Sequence, residues 1–421
     1  MYTAHQALRN PRLASRCRAR RCDLLRHRDA GRLIVVITIL LFAAAASLAH
    51  AQTSEAKLAT QHGLSAKAFD RLMERARQTE SDALIILKDG KTVGEWYFDK
   101  PQGPIEAMSA TKSVVALAIG RLLLDGRLES LDVPVHKFYP EWKQGRKAKI
   151  TVRHLLAQRS GLQCERVTVP EIYGSPDFVQ LALCAELIED PGATFRYNNK
   201  ACNLLAGVVQ KISGKRMDKL IGEEIFKPLG MTDWTWSLDS AGNPHGMSGL
   251  QIRPADLAKI GQLMLDHGKC KDKQILPESF VLEAARDDFR PAADAKVKSV
   301  SELWGRHYGL LWWVNTTSEF AITDRLLDEW RRLKAPEDFV TKMVTLKGVR
   351  GDELIRRTRE LVGGEEAWGA LTWQGGRPDF DVVGWTHEGY SADGYLGQYP
   401  GGRAEASPGR GPNAAFAGRT V

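Results

Sequence analysis

The sequence lacks the short motifs that mark several large classes of enzyme. Its six cysteines include no Cys-x-x-Cys pair, which argues against a zinc ribbon or a redox centre. There is no His-Glu-x-x-His, and the ten histidines show no ligand spacing, so we expect no metal and no cofactor. The Gly-x-Ser-x-Gly elbow of α/β-hydrolases is absent, because the best match ends in Asp393. A phosphate loop is absent as well, since Val209 stands where its first glycine belongs.

Most of the chain also lacks an excess of charge of either sign. The formal net charge is +8, but residues 1–51 hold nine arginines and only two aspartates. The remainder has 50 Lys and Arg against 49 Asp and Glu. The body of the protein therefore gives no electrostatic reason to expect a nucleic-acid partner.

The N-terminus has the layout of an export signal. A basic stretch precedes the apolar run LIVVITILLFAAAASLA, and Ala49-His50-Ala51 forms a small-residue cleavage site. We expect residues 1–51 to be removed and the mature protein to be periplasmic or secreted, with membrane contact only through the signal. An uncleaved anchor is the alternative, although the apolar run is barely long enough to span a bilayer. Twin-arginine export at Arg20-Arg21 is disfavoured by Asp23, which stands where that signal has an apolar residue.

Four cysteines remain after removal of this segment: Cys164, Cys184, Cys202 and Cys270. In an oxidising compartment Cys164 and Cys184 could form a disulfide across the loop between them. The alternative is four buried thiols.

Periodicity predicts an α+β protein, because a helix is followed by a β-hairpin and then by further helices. GLSAKAFDRLMERARQTES is amphipathic, and ALIILKDGKTVGEWYF reads as two strands joined at Asp89-Gly90. The apolar ATKSVVALAIGRLLLDGRL predicts a helix buried on every side and ended by Gly126. TVRHLLAQRSGL predicts a short helix with Thr151 as its N-cap and Gly161 beyond its end. PADLAKIGQLMLDHG predicts another helix, with proline in its first turn.

YGLLWWV, residues 308–314, predicts a strand, and its tryptophans at 312 and 313 are expected in the core of the sheet rather than in a binding platform. We expect residues 52–399 to form one domain, in which the charged segment of about 316–380 is a helical insertion between two strands. The strands after residue 300 should join the sheet of the first hairpin. From Pro400 onward Gly, Pro, Ala and Arg make up 16 of 22 residues, so residues 400–421 are expected to be an irregular tail without strand or helix.

Ser109 and Lys112 are candidates for a nucleophile and its base. In a helix, residues three apart lie on one face, so the hydroxyl and the amine come within hydrogen-bonding reach. A lysine is a poor base at neutral pH unless burial disfavours its ammonium form, and the apolar run after Lys112 supplies that burial. The motif is weak by itself, because Ser54 and Lys57 repeat it beside the predicted cleavage site.

Tyr197 and Asn199 form the one Tyr-x-Asn of the chain and precede a second apolar helix. A tyrosine on a loop can share a proton with a lysine and pass it to a leaving group, and an asparagine amide can hold a substrate carbonyl. The structural alternative is a turn in which Asn198 and Asn199 cap the following helix. His136 and His154 are expected to be surface or core histidines rather than catalytic residues.

Several segments, taken in order, resemble the superfamily of serine β-lactamases and DD-peptidases, most closely its class C branch with the related esterases and amide hydrolases. They are Ser109-Ala110-Thr111-Lys112, TVRHLLAQRSGL, Tyr197-Asn198-Asn199, GLQIRPADLAKIGQLML, YGLLWWV and GYLGQY. The resemblance implies a β-lactamase-like fold, in which an antiparallel sheet flanked by helices faces an all-helical lobe. It also implies that Ser109 is acylated, that Lys112 activates it, that Tyr197 acts as acid and base, and that Asn199 binds substrate.

One element departs from the family pattern. Where the family has Lys-Thr-Gly or His-x-Gly facing the serine, this chain has Ala392-Asp393-Gly394 followed by Tyr395. The backbone at Gly394 and Tyr395 could still bind substrate, since the N–H groups of Ser109 and Tyr395 would suffice for an oxyanion hole. The cation that grips a substrate carboxylate is missing, and His387-Glu388-Gly389 would restore one only five residues early.

The sequence therefore favours a neutral ester or amide as the small-molecule substrate. A β-lactamase or DD-carboxypeptidase remains an alternative, as does a catalytically silent, penicillin-binding-like homologue. The tail also departs from the family, which continues after GQY with an apolar strand and a helix. We expect a reading-frame change near Tyr399, which resequencing of that end of the gene would reveal. The sequence leaves the oligomeric state open.

Overall fold

The protein has an α+β architecture, as the sequence predicts. The computed structural model describes residues 57–164, 169–285, 307–364, 367–368, 381–392, 401–402 and 414–418. Residues 57–61 are helical. The labelled helices are α1 (Ala66–Gln78), α2 (Thr111–Leu124), α3 (Val152–Leu156), α4 (Val169–Tyr173), α5 (Phe178–Cys184), α6 (Asn199–Ser213), α7 (Met217–Ile221), α8 (Pro254–Leu265), α9 (Glu278–Ala284), α10 (Asp324–Arg332), α11 (Glu337–Val344) and α12 (Gly351–Val362).

The strands form a main sheet of six, a smaller sheet of three and a short two-stranded ribbon, all antiparallel. They are β1 (Leu84–Lys88), β2 (Lys91–Trp96), β3 (Ile105–Glu106), β4 (Trp234–Trp236), β5 (Leu250–Ile252), β6 (Lys269–Cys270), β7 (Lys273–Gln274), β8 (Trp313–Ala321), β9 (Asp381–Ser391), β10 (Gly401–Gly402) and β11 (Ala414–Gly418). The main sheet has the order β2-β1-β11-β10-β9-β8, so it joins the first hairpin to the strands after residue 300.

The hairpin turn confirms the sequence prediction. Asp89 and Gly90 both have positive φ, at 52° and 72°. Two successive residues with positive φ form the turn that matches the twist of a two-residue β-hairpin. Aspartate followed by glycine is a favoured pair for this turn.

The expectation that residues 400–421 contain neither strand nor helix is wrong. Ala414–Gly418 lies inside the main sheet, where it pairs with β1 on one side and with Gly401–Gly402 on the other. Strand preference depends strongly on the surrounding sheet. A run of alanine, phenylalanine and glycine can therefore form a strand when its backbone hydrogen-bonds to two neighbours.

The segment of three helices, α10 to α12, lies between the paired strands β8 and β9. Its buried side chains, among them Trp330, Phe339 and Met343, form a hydrophobic cluster separate from the main core. Residues 316–321, which the sequence analysis placed in the insertion, belong to β8 instead. That strand begins only at Trp313, because Leu311 has a φ of 61° and interrupts the extended run.

Helix α2 is the centre of the main core. Eleven of its residues are buried, in agreement with the prediction of a helix buried on every side. Gly120 allows a close approach, since a Cβ there would lie 2.7 Å from the ring of Phe280. The helix that carries Lys112 is therefore held by apolar contacts around its whole circumference.

Thr151 is the N-cap of α3, as predicted, and His154 completes a capping box. The backbone N–H of His154 donates to Thr151 Oγ1, and the Thr151 N–H donates to His154 Nδ1, both at 3.2 Å. Burial lowers the pKa of His154 from its ordinary value. Both observations favour the neutral imidazole, because only the neutral ring has a lone pair on Nδ1.

This cap predicts a pH-dependent contribution to stability. The pKa of His154 is lower in the folded state than its unfolded value of about 6.5, so the unfolded chain binds the proton first. The contribution is complete above that value and is lost as pH falls from there to the lower pKa of the folded state. In His154→Gln, whose amide can accept the same hydrogen bond without titrating, the decrease in melting temperature between neutral and mildly acidic pH should be smaller.

Thermal unfolding at several pH values measures this difference, and the exposed His267→Gln serves as the matched control. An equal decrease in wild type and His154→Gln would contradict the role of the cap.

Candidate active site

Ser109 lies in a short 3₁₀ turn, Met108–Ala110, that leads directly into α2. The turn is fixed from its N-terminal side, because Ile105 pairs with Ile252 and the Ala107 N–H donates to Leu250 O at 2.8 Å. Met108 has a φ of 47°, which is strained for a residue with a side chain. The serine is half-buried.

Lys112 lies one turn further on, and its Nζ donates a hydrogen bond of 2.9 Å to Ser109 Oγ. This is the contact that the Ser-x-x-Lys spacing predicts. Only 1% of Lys112 is exposed, so its amine is enclosed by protein.

The second partner of Lys112 is a backbone carbonyl. Its Nζ donates to Met247 O at 2.8 Å. The loop that carries this carbonyl is held at both ends, since the Gly246 N–H donates to Asn203 Oδ1 and the Gly249 N–H donates to Glu106 Oε1. Met247 could not be identified from the sequence, because every residue has a backbone carbonyl and the side chain gives no sign of its use.

Tyr197 contacts this pair from the loop before α6. The Lys112 Nζ lies 5.0 Å from the centre of the Tyr197 ring. The structure therefore brings together Ser109, Lys112 and Tyr197, three residues that the sequence analysis singled out.

The loop of Tyr197 is held by Gln158, a fully buried residue with a φ of 57°. Its backbone carbonyl accepts from the Arg196 N–H at 2.8 Å, and its side-chain oxygen accepts from the Asn198 N–H. Its amide group donates to the buried Cys202 Sγ at 3.3 Å. Gln158 thus fixes the residues on both sides of Tyr197, and it too was missed by the sequence analysis.

The two asparagines after Tyr197 have different positions. Asn198 is the N-cap of α6, with its Oδ1 accepting from the Ala201 N–H and its Nδ2 donating to Leu162 O. Asn199 is the first residue of the helix and is half-buried. The alternative in which these asparagines cap the next helix is therefore correct for Asn198. Substrate binding by Asn199 stays a prediction.

The cations next to this loop are paired. Arg196 forms an ion pair with Glu189, and the buried Lys200 forms one with Glu171. Lys200 also donates to Gln163 Oε1 at 2.6 Å. These pairs neutralise the positive charges that flank Tyr197 in the sequence.

Aromatic rings surround Tyr197 on the side of the main sheet. Trp313 is stacked on it, with ring centres 6.2 Å apart and planes 18° apart, and Tyr308 meets it edge to face. Trp312 is fully buried, as expected for core, but Trp313 is only partly buried and lies beside the site.

The cysteines of the described chain are free thiols, so no bridge joins Cys164 to Cys184, and Cys184 is exposed. Cys164 is half-buried near the site, where its thiol donates to Tyr197 O. Burial raises the pKa of Cys164, and it raises that of Cys202 to about 11. Both are therefore protonated at neutral pH, which argues against a cysteine nucleophile.

Some predicted features lie outside the described residues. These are the signal segment 1–51 and the substrate-binding positions Gly394 and Tyr395, with Asp393 beside them. His387 belongs to β9, opposite Thr316 of β8. Among the residues that the structure describes, there is no group of three His, Cys, Asp or Glu arranged to hold a metal ion, and no helix is long and apolar enough to cross a membrane.

Comparison with known proteins identifies a family and several similar proteins. The model of the protein family described as Beta-lactamase matches residues 66–320, more than half of the chain. Protein flp of Staphylococcus aureus strain MRSA252 is 28% identical over 188 residues, which cover 41% of this chain and 38% of that protein. The matched segment thus spans about two fifths of the length of this relative. Esterase EstB of Burkholderia gladioli is 30% identical over 144 residues, covering 30% of this chain and 36% of the esterase.

A solved structure shares the fold. It is a Bacillus anthracis protein provisionally titled a 6-aminohexanoate-dimer hydrolase, with a TM-score of 0.54 and 17% identity. The similarity covers 83% of this chain and 76% of that one.

The loop that carries Met247 O gives a testable prediction. A Cβ on Gly246 would lie 2.1 Å from the backbone oxygen of Cys202, a position that no side-chain rotation relieves. Gly246→Ala should therefore displace the loop from α6 and weaken the Lys112–Met247 contact. We expect a loss of about 1–3 kcal/mol in the free energy of unfolding, typical of an overpacked site.

Urea denaturation measures this loss, and the control is Gly103→Ala, where a Cβ meets nothing within 4 Å. Equal stabilities of the two variants would show that the loop adapts to the extra methyl group.

Proposed function

This chain belongs to the beta-lactamase family, and from that premise we propose that it is a serine hydrolase that cleaves an ester or amide through an acyl-enzyme on Ser109. The observation that carries the proposal is the 2.9 Å hydrogen bond between Lys112 Nζ and Ser109 Oγ, with the Tyr197 ring on the same amine. A nucleophile and a proton acceptor in contact, with a third group beside the acceptor, are the arrangement that nucleophilic catalysis requires.

In the proposed mechanism Lys112 accepts the proton of Ser109 as Oγ attacks the substrate carbonyl. The contact already has the length that proton transfer needs, and a lysine without its third proton accepts where the ammonium donates. Met247 O takes one N–H of the same amine, and in the proposed mechanism the lone pair of the neutral lysine faces the serine to receive its proton.

Tyr197 then passes a proton to the leaving group. In the second half of the reaction it accepts a proton from the water that attacks the acyl group, and Lys112 returns its proton to Ser109 Oγ as the acyl bond breaks. The oxyanion would be stabilised by the backbone N–H groups of Ser109 and Tyr395, as the family resemblance implies. Asn199, at the start of α6, is the proposed ligand of the substrate carbonyl.

We propose a neutral ester or amide as substrate. The sequence has Ala392-Asp393-Gly394 where a cation would grip a carboxylate. Arg196 and Lys200, which flank Tyr197, are already paired with Glu189 and Glu171 and have little charge to offer a substrate anion. The similarity to an esterase favours the same choice.

Covalent labelling tests the enzyme proposal. A fluorophosphonate probe should label the purified protein, and Ser109→Ala should abolish labelling because it removes the nucleophile. Lys112→Ala and Tyr197→Phe should lower the rate of ester hydrolysis by about 10²–10⁴-fold, the range for loss of a general acid or base. Ser130→Ala, on an exposed turn, is the matched control.

Persistent labelling of Ser109→Ala would overturn the assignment of the nucleophile, and absence of labelling in the wild type would favour a catalytically silent homologue. Rapid turnover of a chromogenic cephalosporin would instead identify a β-lactamase. Slow release of a bound fluorescent penicillin would favour a penicillin-binding role.

We further propose that the protein is exported to the periplasm or beyond. The basic stretch, the apolar run and Ala49-His50-Ala51 support this. The mature chain should begin at Gln52. Mass spectrometry of the N-terminus after expression with an intact export pathway measures this directly, and retention of residues 1–51 would favour the membrane-anchor alternative.

A further inference from the structure

Trp313 packs against Tyr197, the candidate acid–base residue. Its indole is stacked on the ring of Tyr197, with planes only 18° apart. Tyr308 meets both rings edge to face, at 85° to each, and its centre lies 4.6 Å from that of Trp313. Since Tyr308 is buried, it forms a fixed support behind the stacked pair.

The position of Trp313 is imposed by the turn before it. Leu311 is held in the left-handed region, at a φ of 61°, by hydrogen bonds on both sides of its backbone. Its carbonyl accepts from Ser113 Oγ of α2, and its N–H donates to Leu156 O at the end of α3. The same helix therefore carries Lys112 and, through Ser113, anchors the segment that presents Trp313.

The turn also decides which tryptophan faces the site. A third hydrogen bond, from the Gly309 N–H to Trp312 O, closes the turn. Trp312 is fully buried in the main core, whereas its neighbour, the first residue of β8, is partly exposed beside Tyr197. Trp313 is partly exposed and follows the strained Leu311. Strained backbone is common at functional sites, so a role for Trp313 in the site is a reasonable hypothesis.

Tyr197 needs such support because it belongs to a loop rather than to a helix or strand. Gln158 fixes the backbone on both sides of it, but backbone contacts leave the ring free to rotate about its side-chain bonds. Stacking restricts that rotation, since aromatic pairs have preferred geometries. Rotation about the Cα–Cβ bond sets where the phenol oxygen lies, and a stacked neighbour limits that rotation.

We propose that Trp313 is a positioning residue that holds the ring of Tyr197 in the orientation needed to protonate the leaving group. This rests on the proposed function, because it assigns Trp313 a role in the acid–base step of that reaction. The proposal predicts that the effect of replacing Trp313 on kcat/KM increases with the basicity of the leaving group. Only a basic leaving group needs the proton that Tyr197 supplies.

Two butanoate esters test this prediction. 4-Nitrophenyl butanoate has a leaving group that departs as an anion, whereas ethyl butanoate has one that must be protonated. For Trp313→Ala we expect kcat/KM to fall about tenfold or more with the ethyl ester, in line with the effect of a displaced catalytic group. With the nitrophenyl ester it should fall by less than about threefold, and Trp313→Phe should restore most of the loss because it keeps an aromatic face.

A double-mutant cycle separates positioning from a general structural effect. In a Tyr197→Phe background, Trp313→Ala should cause no further loss with the ethyl ester, because the group that it positions is gone. Trp96→Ala, which removes a partly buried tryptophan at the opposite edge of the main sheet, is the matched control. If Trp313→Ala does not fold, Trp313→Leu takes its place, since it also lacks the aromatic face.

Equal losses with the two esters, or additive losses in the double variant, would overturn the role of Trp313 and leave the proposed function intact. Failure of the wild type to hydrolyse either ester in a Ser109-dependent manner would overturn both.

Discussion

The site depends on one enclosed amine. Lys112 has 1% of its surface exposed and donates hydrogen bonds to Ser109 Oγ and Met247 O. An ammonium loses much of its hydration when it is enclosed in this way, and a burial of that kind is tolerated when the group has partners or releases its proton. The buried helix, the glycine-containing loop and the tyrosine loop can all be understood as parts that hold this amine beside the serine.

Each of those parts is fixed by contacts with the others, so the site is a consequence of packing rather than of local sequence. Helix α2 is buried around its circumference, which removes freedom from Lys112. Asn203 of α6 holds the loop of Met247, and Gln158 holds the loop of Tyr197 while donating to Cys202 of α6. A displacement of α6 would therefore move both Met247 and Tyr197 relative to Lys112. This helix thus supports two sides of the site.

The sequence predicted the parts of this arrangement that side-chain chemistry encodes. Ser109 and Lys112 are recognisable by their spacing at the start of an apolar helix, and Tyr197 by the Tyr-x-Asn pattern and the family resemblance. The structure brings the three together. Met247 and Gln158 could not be predicted, because one acts through a carbonyl that every residue has and the other through a backbone conformation that long-range contacts impose. The strands at Gly401–Gly402 and Ala414–Gly418 were missed for a similar reason, since their pairing partners are distant in sequence.

Three of the nine non-glycine residues with positive φ in the described chain lie next to the candidate site. Met108, Gln158 and Leu311 all have positive φ without being glycine. The first precedes the nucleophile, the second holds the loop of Tyr197, and the third presents Trp313. Each conformation is unfavourable by about 1–3 kcal/mol and persists only where surrounding contacts fix it. Relaxing any of them would improve local backbone energy but would move a side chain of the site, so the strain is explained by the position that each residue secures.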